Sequence, residues 1–314
     1  MKITVASGKG GTGKTTIATS LALSLATASP GAAPPLFWDC DVEAPNAHLF
    51  LHPNLVQESE VSVPIPRVDA AKCTHCGRCA EVCPWHAIAV VGKKVLVFPQ
   101  LCHGCGSCTV NCPEGAIIEV PNPIGRIQSG PARSGIPFTR GVLNVGEPMA
   151  VPIIRELKRG SQSEARGRTV IIDASPGTTC PVVESMRGSD YVLLVTEPTP
   201  FGLHDLRLAV QVTEELKIPA GVIINRDGVG DSGVEAFCRQ VGLPVLMRIP
   251  LDERLARGIA RGQTLVDVYP AYVPHLQDLY HRIVELVGGF SRRVTVGTRR
   301  VTATVTESAA GPRS

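Results

Sequence analysis

Eight of the eleven cysteines fall into two copies of one run, C-x2-C-x2-C-x3-C-P: Cys73, Cys76, Cys79, Cys83 and Pro84, then Cys102, Cys105, Cys108, Cys112 and Pro113. Thiolates at that spacing suit iron–sulfur cubanes. Three closely spaced cysteines wrap one cluster, and the fourth, turned away by its proline, reaches the other. Cys73, Cys76, Cys79 and Cys112 are therefore assigned to one 4Fe–4S cluster, and Cys83, Cys102, Cys105 and Cys108 to the second. A disulfide framework is set aside because the chain is long and Met1 to Val5 runs straight into a strand pattern with no leader. Zinc sites use pairs at longer separations, not three cysteines in step.

A second constellation lies near residue 1. Gly8-Lys9-Gly10-Gly11-Thr12-Gly13-Lys14-Thr15 fits G-x4-G-K-[ST], followed by Thr16, between a strand pattern at Lys2 to Ala6 and an Ala/Leu-rich helical run to about Ala28. Glycines let backbone N–H groups approach the phosphates of a nucleotide at a helix N-terminus. Lys14 would neutralise the outer phosphates of ATP and Thr15 would offer its hydroxyl to Mg2+.

The extra lysine, Lys9 in K-G-G-x-G-K-T-T, makes this segment resemble the deviant Walker A loop of the MinD/ParA/Mrp ATPases, a superfamily related to the nitrogenase iron protein. The resemblance implies an ATP-bound homodimer in which Lys9 reaches the partner's nucleotide. Asp39-Cys40-Asp41-Val42-Glu43-Ala44-Pro45-Asn46 resembles the D-x-D switch I, which implies that Asp41 orients the attacking water and Asp39 supports magnesium. Asp173-Ala174-Ser175-Pro176-Gly177 resembles Walker B with switch II, so that Asp173 would hold magnesium through a water. Asn225 and Pro250 match positions of adenine recognition. Three further segments, Gly141 to Glu147, Pro176 to Pro181 and Thr196 to Asp205, resemble a narrower group, MinD-superfamily ATPases with an inserted bacterial-type ferredoxin domain. Cys40 and Cys238 read as small buried hydrophobes. Cys180, seven residues after Asp173, is either a packing residue or a reactive or metal-touching thiol near a dimer axis. His75 and His103 fall inside the cluster loops as tuning groups and are not counted as ligands.

These sites need a frame to hold them. Apolar runs at Pro35 to Trp38, Thr169 to Ile172, Tyr191 to Val195, Ala220 to Ile224 and Val245 to Ile249 alternate with helical stretches. The fold class is α/β: a mostly parallel, doubly wound P-loop NTPase sheet, with ligands beyond the carboxyl ends of its strands, carrying an inserted α+β ferredoxin domain. The two cysteine runs repeat at 29 residues (102 minus 73), an internal duplication. The division is 1–62 and 122–290 for the ATPase, 63–121 for the insert and 291–314 for a disordered tail. Within it, 122–141, rich in Gly, Pro and Ser, reads as a return connection. Pro148 to Lys158 looks helical, and Leu276, Leu279, Ile283 and Leu286 keep the spacing of a helix docked on the core.

With 314 residues, 44% hydrophobic, and a formal charge of +3, the chain is expected to be a cytoplasmic globular protein without membrane insertion and without the basic face of a nucleic-acid binder. The leading function is an ATPase whose nucleotide state controls electron transfer or partner docking through the clusters, with an unidentified redox or metal-cofactor protein as partner. A cluster carrier of the Mrp type is weakened because no C-x2-C follows Cys112. A MinD/ParA-like spatial organiser would need a basic face or a terminal amphipathic helix, neither of which the sequence offers.

Overall fold

The computed structural model describes residues 1–28 and 33–305, with side chains described through 289. Its strands are β1 (Lys2–Ala6), β2 (Leu36–Cys40), β3 (Gln57–Val68), β4 (Ile88–Val91), β5 (Lys94–Val97), β6 (Ile117–Pro131), β7 (Pro137–Leu143), β8 (Val170–Ala174), β9 (Tyr191–Thr196), β10 (Ala220–Asp227) and β11 (Val245–Pro250). Nine of them form one sheet in the order β11-β10-β9-β1-β8-β2-β7-β6-β3, and β4 and β5 form a separate hairpin. From β11 to β7 every pairing is parallel; β6 then runs antiparallel to both β7 and β3. The short central strands are apolar on both faces, as a parallel sheet covered by helices requires.

Alternation along those strands fills two sides. Ile3, Val5, Phe37, Ile171 and Leu193 point to one face, where α1 (Lys14–Ala26) and α11 (Tyr272–Val305) cover them, Leu276, Leu279 and Ile283 contributing from α11. Opposite, Leu36, Trp38, Val170 and Ile172 pack on Ile153, Ile154 and Leu157 of α5 (Val151–Gly160). Further along that side lie α6 (Cys180–Met186), α7 (Pro200–Glu215) and α8 (Gly233–Val241) over Val192, Leu194, Val222 and Ile224. Helix α1 is buried on all sides from Lys14 to Ser24, which explains its mixed Ala, Leu, Ser and Thr content. Its serines and threonines donate back to carbonyls one turn earlier, as Ser20 does to Thr16 at 2.6 Å.

Three expectations are revised. Residues 122–141 are not a loose connection: they hold most of β6 and the start of β7, and they widen the sheet. The boundaries at 62/63 and 121/122 fall inside the paired strands β3 and β6, which run as one antiparallel ribbon from Gln57↔Ser129 to Val68↔Ile117. The cysteine module is thus carried on two arms of the sheet itself. Lastly, α11 runs through Val305, so 291–305 are helical backbone where a disordered tail was expected; 306–314 lie outside the described residues. No proline occurs between Pro274 and Pro312 to stop that helix.

Candidate functional site

Register alone brings the phosphate-binding loop and the acids to one edge of the sheet. Val5 of β1 and Asp39 of β2 both lie level with Asp173 of β8, and β1 ends at Ala6, directly before the loop. The loop enters α1 through Gly13, whose φ of 92° is open to glycine and strained for other residues. A Cβ on Gly8 would collide with the Asp205 carbonyl of α7, so this position is glycine for space. Around the loop opens a cavity of about 460 Å³, lined by Lys9 to Thr16, Asp41, Asn225 and Pro250. Of the residues assigned to nucleotide or magnesium, Gly8, Asp39 and Asp173 do not line it; they stand behind it.

The charge balance of this pocket is short of a cation. Lys14 Nζ donates to Asp173 Oδ1 at 2.8 Å, the lysine being 6% exposed and the aspartate fully buried. Burial alone would lower the Lys14 ammonium, but Asp173, with Asp41 and Asp39 behind it, raises it overall. Asp173 Oδ2 is buried and has no partner. Burial pushes Asp39 up to about 8, the charge of Asp173 adding to the effect and Lys14 opposing it. Asp41 is pushed to about 6 by burial, with Lys14 opposing and Asp173 and Glu43 adding. Three carboxylates share one ammonium, and Asp173 keeps one oxygen without a partner, so negative charge exceeds positive at this edge of the pocket. Asp39 also organises the switch, because its two oxygens accept the backbone N–H groups of Asp41 and Ala47, each at 3.2 Å.

Lys9 is held within its own chain. Its Nζ lies 3.1 Å from Glu197 Oε2, and Glu197 Oε1 accepts from Arg226 at 2.5 Å. Arg226 also donates to the Gly11 carbonyl at 3.2 Å, and Asn225 Nδ2 donates to the Thr12 carbonyl at 2.7 Å. The amide expected at the base is thus also a brace for the loop. Glu197 lies inside the Thr196-to-Asp205 segment and Arg226 follows Asn225, but nothing in their spacing announces that the fold closes them on Lys9.

In the module, the two runs fold alike. Left-handed backbone recurs 29 residues apart at His75 and Gly104, Gly77 and Gly106, and His86 and Gly115. Gly77 and Gly106 open the short helices α3 (Arg78–Glu81) and α4 (Ser107–Val110). Ala87 N–H donates to Cys83 Sγ and Ala116 N–H to Cys112 Sγ, both at 3.3 Å. One small cavity is lined by Cys73, Cys76, Cys79 and Cys112, and another by Cys83, Cys102, Cys105 and Cys108. None of the eight is paired in a disulfide. Among the described residues no three His, Cys, Asp or Glu side chains converge on a point as a single ion demands. Four thiols surround each cavity, and in each one sulfur, Cys83 or Cys112, accepts a backbone N–H. Cavity one meets Val68 and Ile117 at the far end of the arms, while cavity two meets Pro64 and Pro66 closer to the body. Trp85 stacks on His103 beside cavity two, ring centroids 3.7 Å apart. Cys40 and Cys238 are buried, as expected of small hydrophobes, and Cys180 is exposed.

Sheet order, loop and acids define a P-loop nucleotide-binding domain. Residues 3–266 match the family model described as CobQ/CobB/MinD/ParA nucleotide binding domain, and the chain belongs to that family. It is 31% identical over 267 residues to protein MJ0579 of Methanocaldococcus jannaschii, covering 85% of this chain and 91% of that one. A shorter stretch of 117 residues, 32% of this chain and 43% of the relative, is 30% identical to a cytosolic Fe-S cluster assembly factor NUBP2 homolog of Nematostella vectensis. Among solved structures, the septum site-determining protein MinD of Pyrococcus horikoshii, complexed with Mg-ADP, superposes with a TM-score of 0.54 at 20% identity, covering 92% of this chain and 98% of that one. That likeness establishes the fold. No helix among the described residues is long and apolar enough to cross a membrane.

Proposed function

We propose that the chain is an ATP-hydrolysing homodimer whose nucleotide state governs electron transfer, or docking for it, through a two-cluster 4Fe–4S module of bacterial ferredoxin type. The observation that carries the reading is the crossed lining of the cysteine cavities, each drawing three thiols from one run and the fourth from the other. Each cubane, when bound, supplies one-electron chemistry.

At the other site, Lys14 neutralises the outer phosphates, Thr15 and Asp173 hold magnesium with Asp39 behind them, and Asn225 and Pro250 flank the base. Asp41, just after β2 and on the wall of the pocket, orients the attacking water. Lys9 leaves Glu197 to serve the partner's nucleotide. The resemblance to the nitrogenase iron protein supplies an analogy for such coupling.

Protein purified without oxygen should contain about eight iron and eight sulfide per chain. Redox titration in the apo, ADP and non-hydrolysable ATP-analogue states should then give different cluster potentials. A colourless, zinc-loaded product of anaerobic reconstitution would remove the clusters from the reading, and identical potentials in all three states would remove the coupling. The partial similarity to a cluster assembly factor favours a second reading, a cluster carrier. Loss of clusters from this chain to an apo-acceptor on ATP turnover would select it.

A further inference from the structure

Between Asp41 and the arms runs a short chain of contacts that the nucleotide chemistry does not use. Val42, next to Asp41, accepts a hydrogen bond at its carbonyl from Leu143 N–H at 2.8 Å, where β7 ends. The next residue, Asn144, grips β6 twice: its N–H donates to the Ile124 carbonyl at 2.9 Å and its Nδ2 to the Pro123 carbonyl at 3.2 Å. Those two carbonyls sit where the β3–β6 ribbon slips. Val61 pairs with Gly125 and Ser62 with Pro123, leaving Ile124 as the extra residue of a bulge. A bulge is where a two-stranded ribbon bends. It divides the ribbon into a half within the sheet and a half that reaches the cysteine cavities.

Packing reinforces the same joint. Ile124, Val42 and Ile153 are fully buried in one apolar cluster with Val61 and Val63 of β3. Gly141 leaves room for Ile153 and Val42, each of which a Cβ there would meet at 2.6 Å, and a Cβ on Gly125 would strike Ile153 Cδ1. Ile153 of α5 is therefore a wedge against Gly141 of β7 and Gly125 beside the bulge, with Val42 of switch I in the same apolar cluster. Close-packed contacts of this kind transmit a displacement instead of absorbing it.

We propose that Asn144 is a positioning residue that couples switch I to the cysteine module, clamping the Pro123–Ile124 bulge so that movement of Asp41–Val42 swings the outer arms. It belongs to the Gly141-to-Glu147 segment, which no catalytic or ligand role explains, and its exposed side chain can be changed without opening the core. This inference rests on the nucleotide coupling proposed above.

The test uses full-length, cluster-loaded dimer and compares wild type with Asn144→Ala and Asn144→Gln, and separately with Ile153→Val, which deletes the methyl facing Gly125. Amide exchange over 62–68 and 117–123 is followed in apo, ADP and ATP-analogue states, beside analogue affinity for oxidised and reduced protein. In wild type the arms should change protection with nucleotide, and the two affinities should differ by roughly 5- to 150-fold, the usual span of allosteric coupling. In Asn144→Ala, which removes the Nδ2 bond and keeps the backbone one, both differences should shrink clearly, while ATP hydrolysis and the protection of the nucleotide loop stay as in wild type. Asn144→Gln, which keeps a donor, should recover part of the coupling, and Ile153→Val should weaken it. If Asn144→Ala couples as wild type does, the clamp is wrong and the proposed function stands. If wild type itself shows no difference, the coupling falls and the clamp with it.

Discussion

Around the nucleotide pocket the chain is held by burial, and around the cysteines it is not. Ile3, Val5, Ile17, Phe37, Ile171 and Leu193 are at most 1% exposed and pack as one cluster beneath the phosphate loop. Across residues 69–116 the buried apolar side chains are Ala87, Ile88, Cys102 and Ala116, whereas Trp85, Val91, Leu96, Phe98, Leu101 and Val110 are exposed. A module that small, with so little core, needs a covalent or metal tie to hold one structure. The body should therefore stand without its ligand and the module should not.

The harshest test of that contrast is iron removal. Stripped of iron, residues 69–116 should lose amide protection and become protease-sensitive, because ligand-binding energy is folding energy in such modules. The loop from Ser7 to Thr16 should still bind ATP. Cys83→Ser should damage the cluster on Cys102, Cys105 and Cys108, and Cys112→Ser the one on Cys73, Cys76 and Cys79, each read by iron content and electron paramagnetic resonance. A metal-free module with undiminished protection would break the comparison.

Next in size is the body's own buried pair. Lys14→Ala strands Asp173, fully buried, without its 2.8 Å partner. Tight ATP binding should vanish, and apo stability should drop by about 3–5 kcal/mol. Adding Asp173→Asn should restore most of the stability and none of the binding, measured by urea unfolding and nucleotide titration. Equal losses in the single and double variants would mean that the pair is not what holds this end of the sheet.

Lys9→Ala should be gentler. Lys9 is a third exposed, and the buried Glu197 keeps Arg226 as a partner when the lysine is lost, so folding should change by only about 1 kcal/mol. ATP binding should remain measurable while ATP-dependent dimerisation and turnover are lost. Wild-type turnover and sedimentation would refute action across the dimer.

The two regions also differed in how plainly the sequence spoke. The phosphate loop was legible because its chemistry dictates local spacing, the cysteine runs stood out as a duplication that the paired turns repeat, and the parallel strands were legible because each is a short apolar run. The arms were not. Gly125, Gly130, Gly135 and Gly141 and Pro123, Pro131 and Pro137 make 122–141 read as a loop. Yet Gly125 and Gly141 are there to admit Ile153 from a helix still to come in the chain. Pro64 and Pro66 fit β3 because it is an edge strand. Such reasons are tertiary and leave no periodic trace. The same holds for Glu197 and Arg226 around Lys9, and for Asn144 on the bulge.

The smallest effect concerns where the ribbon turns back into the body. Arg133, between β6 and β7, donates to Asp267 Oδ2 at 2.8 Å and to Oδ1 as well, and Asp267 closes a capping box with Thr264 at α10 (Leu265–Val268). The Arg133 hydrogen bond, opposed by partial burial and helped by Thr264, holds the Asp267 carboxyl down at about 2. A depressed carboxyl stabilises the fold above its unfolded value near 4, and that contribution disappears as pH falls through about 2. Because Arg133 is 41% exposed, solvent screening reduces its share to about 1 kcal/mol. Arg133→Ala should therefore be less stable than wild type by that amount at neutral pH, and the gap should close between pH 4 and pH 2. Trp38, fully buried in the body, reports this alone once Trp85, 47% exposed in the module, is replaced by phenylalanine in both proteins. A gap that stayed constant down to pH 2 would place the arginine's contribution in packing instead of charge, and the arms would then join the body by burial, as the rest of the sheet does.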